Sequence, residues 1–290
     1  MGATHIKGVV INNSGKILHQ LQTDTVDQEG AWKDAVAITL QSLIKKSGVT
    51  PGAIGLSAPG LAGSNNDCIA VMPGRLAGLE NFLWSDFLKV PTLVLNDAHA
   101  ATLAEAKFGA GKGKKDIILL TLGSGVGGGI VVNGVLHQGL LQRAGHMGHA
   151  TVNADTDSQD VTGMPGSIED AIGNLTVQRR SFGMYANTAE LVRAYEEGEP
   201  VASLVWLKSV RDLASAISSY INIISPELVI LSGGISLAGE SLFHPLHAFL
   251  QIFEWRMGGT RVPIVPAAYG EFAGAIGAAA FALQKQNKLN

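Results

Sequence analysis

The sequence is short of cysteine, of charge and of long apolar runs, and each shortage removes a class of protein. One cysteine, Cys68, stands in 290 residues. No internal disulfide is available, so a cross-linked secreted scaffold is excluded and a reducing compartment is expected. Charged residues make up 16% of the chain, against roughly 25% in ordinary globular domains. The 21 basic and 24 acidic side chains leave a net charge of −3, and basic residues cluster no more densely than Lys114-Lys115 and Arg179-Arg180. That is not the footprint of a nucleic-acid binder. No apolar run reaches the ~18 residues of a membrane span, and the amino terminus has no charged region ahead of an apolar core. The expectation is a soluble cytoplasmic protein with neither membrane nor nucleic acid as partner.

What is plentiful is glycine, at 36 of 290 residues, or about 12% against a usual 7%. The densest group comes after the run Asp-Ile-Ile-Leu-Leu-Thr-Leu at 116–122, which has the apolar continuity of a buried strand. Gly123, Gly125, Gly127, Gly128 and Gly129 then leave little side chain in the turn. Such a turn is expected to use positive φ and to aim its N–H groups at one point, which is how backbone cradles phosphate. A hairpin that needs glycine for geometry alone is the other reading. A second apolar run, Ile130 to Val132, leads to Asn133-Gly134, a two-residue hairpin signal, and on to Val135 through Gln138. The glycines lead into a strand, so neither a P-loop nor a GxGxxG opening into a helix is present.

A shorter version of this unit opens the chain: Gly2-Ala3-Thr4, a strand at Ile6 to Ile11, a turn at Asn12 to Gly15, and a returning strand at Lys16 to Thr23. Two such units predict two related domains: a small α/β domain at 1–109, completed by 275–290, and a larger one at 110–274. Trp32, Val36, Leu40, Leu43 and Ile44 share one helical stripe that Gly48 stops. A strand at Ile54 to Ser57 meets the turn Ala58-Pro59-Gly60, and 61–79 has no assignable pattern. Thr92 to Leu95 is a strand that delivers Asn96 and Asp97 to its carboxyl end, where ligands of α/β sheets gather. Asp97 can also cap the helix at Ala98 to Phe108. Farther on, an amphipathic helix runs through Val201, Leu204, Val205, Leu213, Ile217 and Ile224 to Ser225-Pro226. A strand at Leu228 to Leu231 enters Ser232-Gly233-Gly234. A helix from about Leu237 to Ile252, a strand at Val262 to Pro266 and a small-residue helix at Gly270 to Leu283 complete the chain. In that last helix Gly274 and Gly277 permit close packing.

Taken in order, four segments resemble the motifs of the ROK family of sugar kinases and sugar-responsive repressors. They are Asn96-Asp97-Ala98-His99-Ala100-Ala101, LTLGSGVGGGI at 120–130, Leu231 to Ile235, and Gly274-x-x-Gly277-Ala278-Ala279. The resemblance covers most of the chain. It implies an α/β fold of the actin-like ATPase (ribonuclease H-like) type, duplicated over two domains. It further implies ATP- and Mg2+-dependent phosphorylation of a hexose, commonly at the 6-hydroxyl, by a homodimer. Asp97 would be the general base, with Gly60, Asn96, His146, His149 and Glu169 binding the sugar. Gly2, Thr4, Lys7, Gly123, Ser124, Gly125, Gly127, Gly233 and Gly234 would bind ATP phosphates.

Three departures from the family pattern stand out. The family opens with a strand ending Asp-x-Gly-Gly-Thr, whereas here Met1 stands immediately before Gly2-Ala3-Thr4, without that strand or its metal-associated Asp. The family's zinc ligands are a histidine and three cysteines, whose positions here carry His149, Asp160, Thr162 and Ser167. Hydroxyls are not soft ligands, so no structural zinc is expected. His149 is then available to sugar, or is a loop histidine satisfied by backbone. Finally, His146 replaces a glutamate and Pro73-Gly74 replaces Pro-Asn, changes that bear on which sugar is preferred. A sugar-binding regulator without catalysis is the alternative to a kinase.

Overall fold

The computed structural model describes residues 1–2, 5–25, 28, 30–72, 74 and 76–286. In chain order its elements begin with β1 (His5–Ile11), β2 (Ile17–Asp24), α1 (Ala31–Ser47), β3 (Ile54–Ala58), β4 (Leu61–Ala62), β5 (Ile69–Val71), α2 (Trp84–Leu88), β6 (Thr92–Asn96) and α3 (Asp97–Phe108). They continue with β7 (Ile117–Leu122), β8 (Val126–Val132), β9 (Val135–His137), α4 (Ile168–Ile172), α5 (Val177–Arg180), α6 (Thr188–Glu196) and α7 (Pro200–Ile224). The last are β10 (Leu228–Ser232), α8 (Glu240–Phe253), β11 (Ile264–Pro266) and α9 (Ala273–Gln286). Among the described residues, no helix is long and apolar enough to cross a membrane.

The chain forms two compact units. One takes residues 1–115, 129–145 and 267–290, and the other 116–128 and 146–266. This partition differs from a cut at 109/110, because 129–145 and all of 267–274 group with the first unit.

In the first unit β1 and β2 pair antiparallel, β3 and β6 pair parallel, and β4 and β5 form a short antiparallel pair. The stripe of α1 buries Trp32, Val36 and Leu43, and Gly48 ends the helix at φ 68°, where a side chain would be strained. Of the stretch 61–79, which has no assignable pattern, the described residues Ala62, Ile69, Leu76 and Leu79 share a core with aromatic rings. Trp32, Phe82 and Trp84 meet edge-to-face at 5.0–5.5 Å, and Trp32 Nε1 donates to the Ala77 carbonyl. Helices α3 and α9 pack closely because a Cβ on Gly277 would lie 1.6 Å from the Ala100 oxygen. The β8–β9 hairpin pairs Val132 with Val135. Asn133 and Gly134 both have positive φ, at 53° and 76°, as the expected two-residue turn requires.

In the second unit β10 lies between β7 and β11, parallel to both, and every residue of β10 is buried. The long helix α7 packs against α8. Its inner face runs through Val205, Trp206, Val210, Leu213 and Ile217. Leu204, placed on that stripe by spacing, is instead 69% exposed. The helix expected from Leu237 begins at Glu240, after a 3-10 turn at Gly234–Ala238. Helix α6, built around Leu191 and Val192, has too few apolar positions to announce itself.

Candidate active site

At the end of β6, Asn96 and not Asp97 caps α3. Asn96 Oδ1 accepts from the Ala98 and His99 N–H groups at 2.9 and 3.2 Å, and its Nδ2 donates to the Gly60 carbonyl at 2.9 Å. Gly60 holds φ at 96°, and a Cβ there would meet the Val71 oxygen at 2.5 Å. The capping role, the alternative reading for Asp97, therefore falls to its neighbour. Asp97 opens the helix, accepts from the Ala98 N–H at 2.8 Å, and stays exposed to solvent. Crowding by surrounding protein pushes its pKa up, against the opposing pull of that N–H and of the nearby Met1 ammonium. The Met1 ammonium donates to the Ser57 carbonyl at 2.5 Å.

The other amino-terminal candidates fare differently. Gly2 N–H donates to the His5 carbonyl, Lys7 pairs with Glu271 at 2.5 Å, and Thr4 lies outside the described residues, as does Pro73. Sequence reasoning gave no role to His99, which stands where the family has asparagine. It is fully buried, with Nε2 2.7 Å from the Ala144 carbonyl.

The glycine loop departs from expectation in one respect. None of Gly123, Gly125, Gly127, Gly128 or Gly129 adopts positive φ. Glycine is required there for close approach instead: a Cβ on Gly125 would meet Glu169 Oε2 at 2.2 Å, and one on Gly129 would meet Thr102 Oγ1 at 2.3 Å. Gly123 N–H donates to the Gly125 carbonyl, and the Gly123 and Ser124 carbonyls accept from the Asn174 and Leu175 N–H groups. Arg180 fixes that second segment through the Gly173 carbonyl and Thr176 Oγ1. These anchors lie about fifty residues downstream, which no local pattern reveals. Among the described residues the Ser124 and Gly125 N–H groups have no protein acceptor, so backbone donors remain for an anion. Nearby, Gly233 holds φ at 89°, where a Cβ would lie 2.3 Å from the Leu122 oxygen, while Gly234 faces open space.

Glu169 joins this loop to the sugar-site candidates. Its Oε2 accepts from the Val126 N–H at 2.8 Å, whereas Oε1 is buried without a partner among the described residues. Burial pushes its pKa up; the Val126 N–H opposes that push, Asp160 adds to it, and His149 opposes it. A buried carboxylate oxygen in that state calls for a donor, and a sugar hydroxyl is one.

The positions of the family's zinc ligands converge as well. Asp160 Oδ1 accepts from the Thr162 N–H, Thr162 Oγ1 and the Met164 N–H at 2.7–3.0 Å, and Oδ2 accepts from Ser167 Oγ at 2.7 Å. His149 Nδ1 stands 3.4 Å from both Asp160 Oδ2 and Thr162 Oγ1. Burial acts to raise the Asp160 pKa, but these donors outweigh it and bring it down to about 2. His149, Asp160 and Glu169 do bring ligand-type atoms within 4.8 Å of one another. Asp160, Thr162 and Ser167 bring no thiolate, so the family's zinc set of one histidine and three cysteines is not reproduced by these residues. The His146 and His149 rings stack in parallel at 6.5 Å.

A family model described as the ROK family matches residues 1–285. Glucokinase of Thermotoga maritima is 31% identical over 269 residues, covering 85% of this chain and 84% of that protein. The crystal structure of the ROK hexokinase from Thermus thermophilus superposes with a TM-score of 0.89 at 27% identity, covering 99% and 97% of the two chains. A ROK glucokinase from Streptomyces griseus, solved with glucose and AMPPNP, gives 0.79 at 24%, covering 98% and 97%.

Proposed function

Since this chain belongs to the ROK family and has its actin-like fold, we propose that it is an ATP-dependent sugar kinase acting on the 6-hydroxyl of a hexose, with Asp97 as general base. The glucokinase of Thermotoga maritima and the nucleotide analogue held by the Streptomyces griseus enzyme support sugar and ATP as the two substrates. The observation that carries the catalytic assignment is the division of labour at the end of β6. Asn96 caps α3, which leaves the Asp97 carboxylate at a strand terminus to accept the proton of an attacking hydroxyl. The unpartnered Glu169 oxygen binds a sugar hydroxyl; His146 and His149 of the same unit, and Asn96 and Gly60 of the first unit, are the other sugar-binding candidates. The Ser124 and Gly125 amides, with Gly123, Gly127, Gly233 and Gly234, hold phosphate oxygens. Positioning and charge stabilisation dominate phosphoryl transfer, and both are what these groups offer.

Magnesium is held largely by nucleotide phosphates with one or two protein carboxylates. Asp97 is such a carboxylate, but the Met1 ammonium beside it opposes a cation, so these groups alone do not make a magnesium site. The second reading, a sugar-binding regulator without turnover, is favoured by His146 in place of the family's glutamate.

A hexose panel with ATP and magnesium tests the choice. Turnover should fall roughly hundredfold to ten-thousandfold in Asp97→Asn with sugar binding retained, and NMR of the product should place phosphate on the 6-oxygen. Sugar binding without phosphorylation in the parent protein would favour the regulator. A homodimer and a cytoplasmic location complete the proposal; light scattering and cell fractionation check them.

A further inference from the structure

Asp160 is surrounded by groups that give it hydrogen and take none. Its Oδ1 accepts from the Thr162 and Met164 N–H groups and from Thr162 Oγ1, and its Oδ2 accepts from Ser167 Oγ. With the side chain wholly buried, those donors make the carboxylate an acceptor at both oxygens. Ser167 Oγ is committed as well, since it accepts from the Asp170 N–H as the cap of α4. Thr162 has one hydroxyl hydrogen. The Asp160 carboxylate, 2.7 Å away, takes it in preference to His149 Nδ1 at 3.4 Å.

His149 Nδ1 therefore faces two acceptors, Asp160 Oδ2 and Thr162 Oγ1, each at 3.4 Å. Neither has hydrogen to spare, so Nδ1 carries its own. A neutral imidazole has one N–H and one lone pair, and a proton on Nδ1 leaves Nε2 bare. A metal ion would do the reverse: it takes a ring lone pair, and the other nitrogen then keeps the proton. A carboxylate in place of an ion thus turns the far nitrogen from donor to acceptor. The ring is not shut in, with 36% of the side chain exposed. The turn beneath it has little room to shift, because Tyr220 donates to the Met147 carbonyl at 2.6 Å and a Cβ on Gly148 would lie 1.8 Å from the Val126 oxygen.

A second acceptor stands close by. Glu169 Oε1 is buried without a partner among the described residues, and Glu169, His149 and Asp160 bring one ligand-type atom each within 4.8 Å of one another. We propose that Asp160 is a positioning residue that fixes His149 as its Nδ1–H tautomer, so that His149 Nε2 and Glu169 Oε1 offer a ligand acceptors alone and select a group able to donate. The tautomer stands on the side chains of this one unit. The consequence for the ligand rests on the sugar-kinase reading, in which the donor is a sugar hydroxyl.

NMR of the protein labelled with nitrogen-15 histidine, near pH 8 and without ligand, reads the tautomer, the His149 signals being those lost in His149→Gln. The expected spectrum has the proton on Nδ1 and the deshielded resonance of a bare ring nitrogen at Nε2. A predominant Nε2–H form in the parent overturns the proposal, as does a tautomer that changes on chelation. In Asp160→Asn an amide N–H can donate to Nδ1, and the balance should move about tenfold or more toward Nε2–H. Thr162→Val, which keeps the carboxylate, should retain Nδ1–H. An unmoved balance in folded Asp160→Asn, or a reversed one in Thr162→Val, overturns the role of Asp160.

Monofluorinated analogues of the hexose that binds test the consequence, because fluorine cannot donate. At one position fluorine for hydroxyl should weaken binding about tenfold in the parent and less than about twofold in His149→Ala. If no loss depends on His149, the selection for a donor is overturned. If no hexose binds, the sugar-kinase reading fails instead, and the histidine spectrum still decides the tautomer.

Discussion

Asp160 illustrates what a sequence can and cannot say about one side chain. Its position, with Thr162 and Ser167, was legible as a set of absent thiolates; that the replacements bond to one another was not, because hydroxyl and carboxylate partners follow no period. The knot makes a quantitative prediction. A carboxyl held at about pKa 2 in the folded protein against roughly 3.9 unfolded contributes on the order of 2 kcal/mol above pH 4. That stability is present above the unfolded value and is lost as pH falls through the folded one. Asp160→Asn should therefore cost about 2 kcal/mol in urea unfolding at pH 7, and the gap between variant and parent should close between pH 4 and pH 2. Asp97 was legible as a strand-end carboxylate, but whether it or Asn96 caps the helix depended on backbone geometry that the adjacent pair of residues leaves open.

Among elements, those with a strong local period were readable: α1 with its glycine stop, the β8–β9 hairpin, and α7 to its end at Ser225, which adopts φ 52°. β8 begins at Val126, four residues earlier than its apolar run, because the glycines before Ile130 are extended backbone and not turn. The stretch 61–79 was opaque because its buried residues Ala62, Ile69, Leu76 and Leu79 pack with rings outside it, Trp32 and Trp84. The closing helix offers a sharp test. Gly277 of α9 rests on the backbone of α3, and a backbone oxygen cannot rotate away as a side chain can. Gly277→Val should lower the free energy of unfolding by about 3 kcal/mol or prevent folding, whereas Ile276→Val, a volume loss in the same helix, should cost only about 1 kcal/mol.

For the whole molecule, two related halves were legible from the repeated strand-turn-strand unit, but strand order was not, since parallel pairing joins residues separated by whole helices. Nor did sequence show that 129–145 groups with the amino-terminal unit. One global property comes from a single buried charge. Desolvation lowers the Met1 amine to about 6, with Asp97 opposing and Lys7 assisting, against about 8 when unfolded. An amine depressed on folding is a cost below its folded value that disappears as pH rises past the unfolded one. The urea midpoint should climb between pH 6 and pH 8, by an amount worth at most about 3 kcal/mol. Acetylating the amine should flatten the curve.

The loop closed by Asp160 has one more consequence, for the chemical surroundings the protein can tolerate. A fastening made of hydrogen bonds between oxygen atoms contains no thiolate and needs no ion of its own. Exposure to a strong chelating agent, followed by dialysis, should leave the melting temperature where it was. A drop after chelation would mean that a metal ion helps hold this loop.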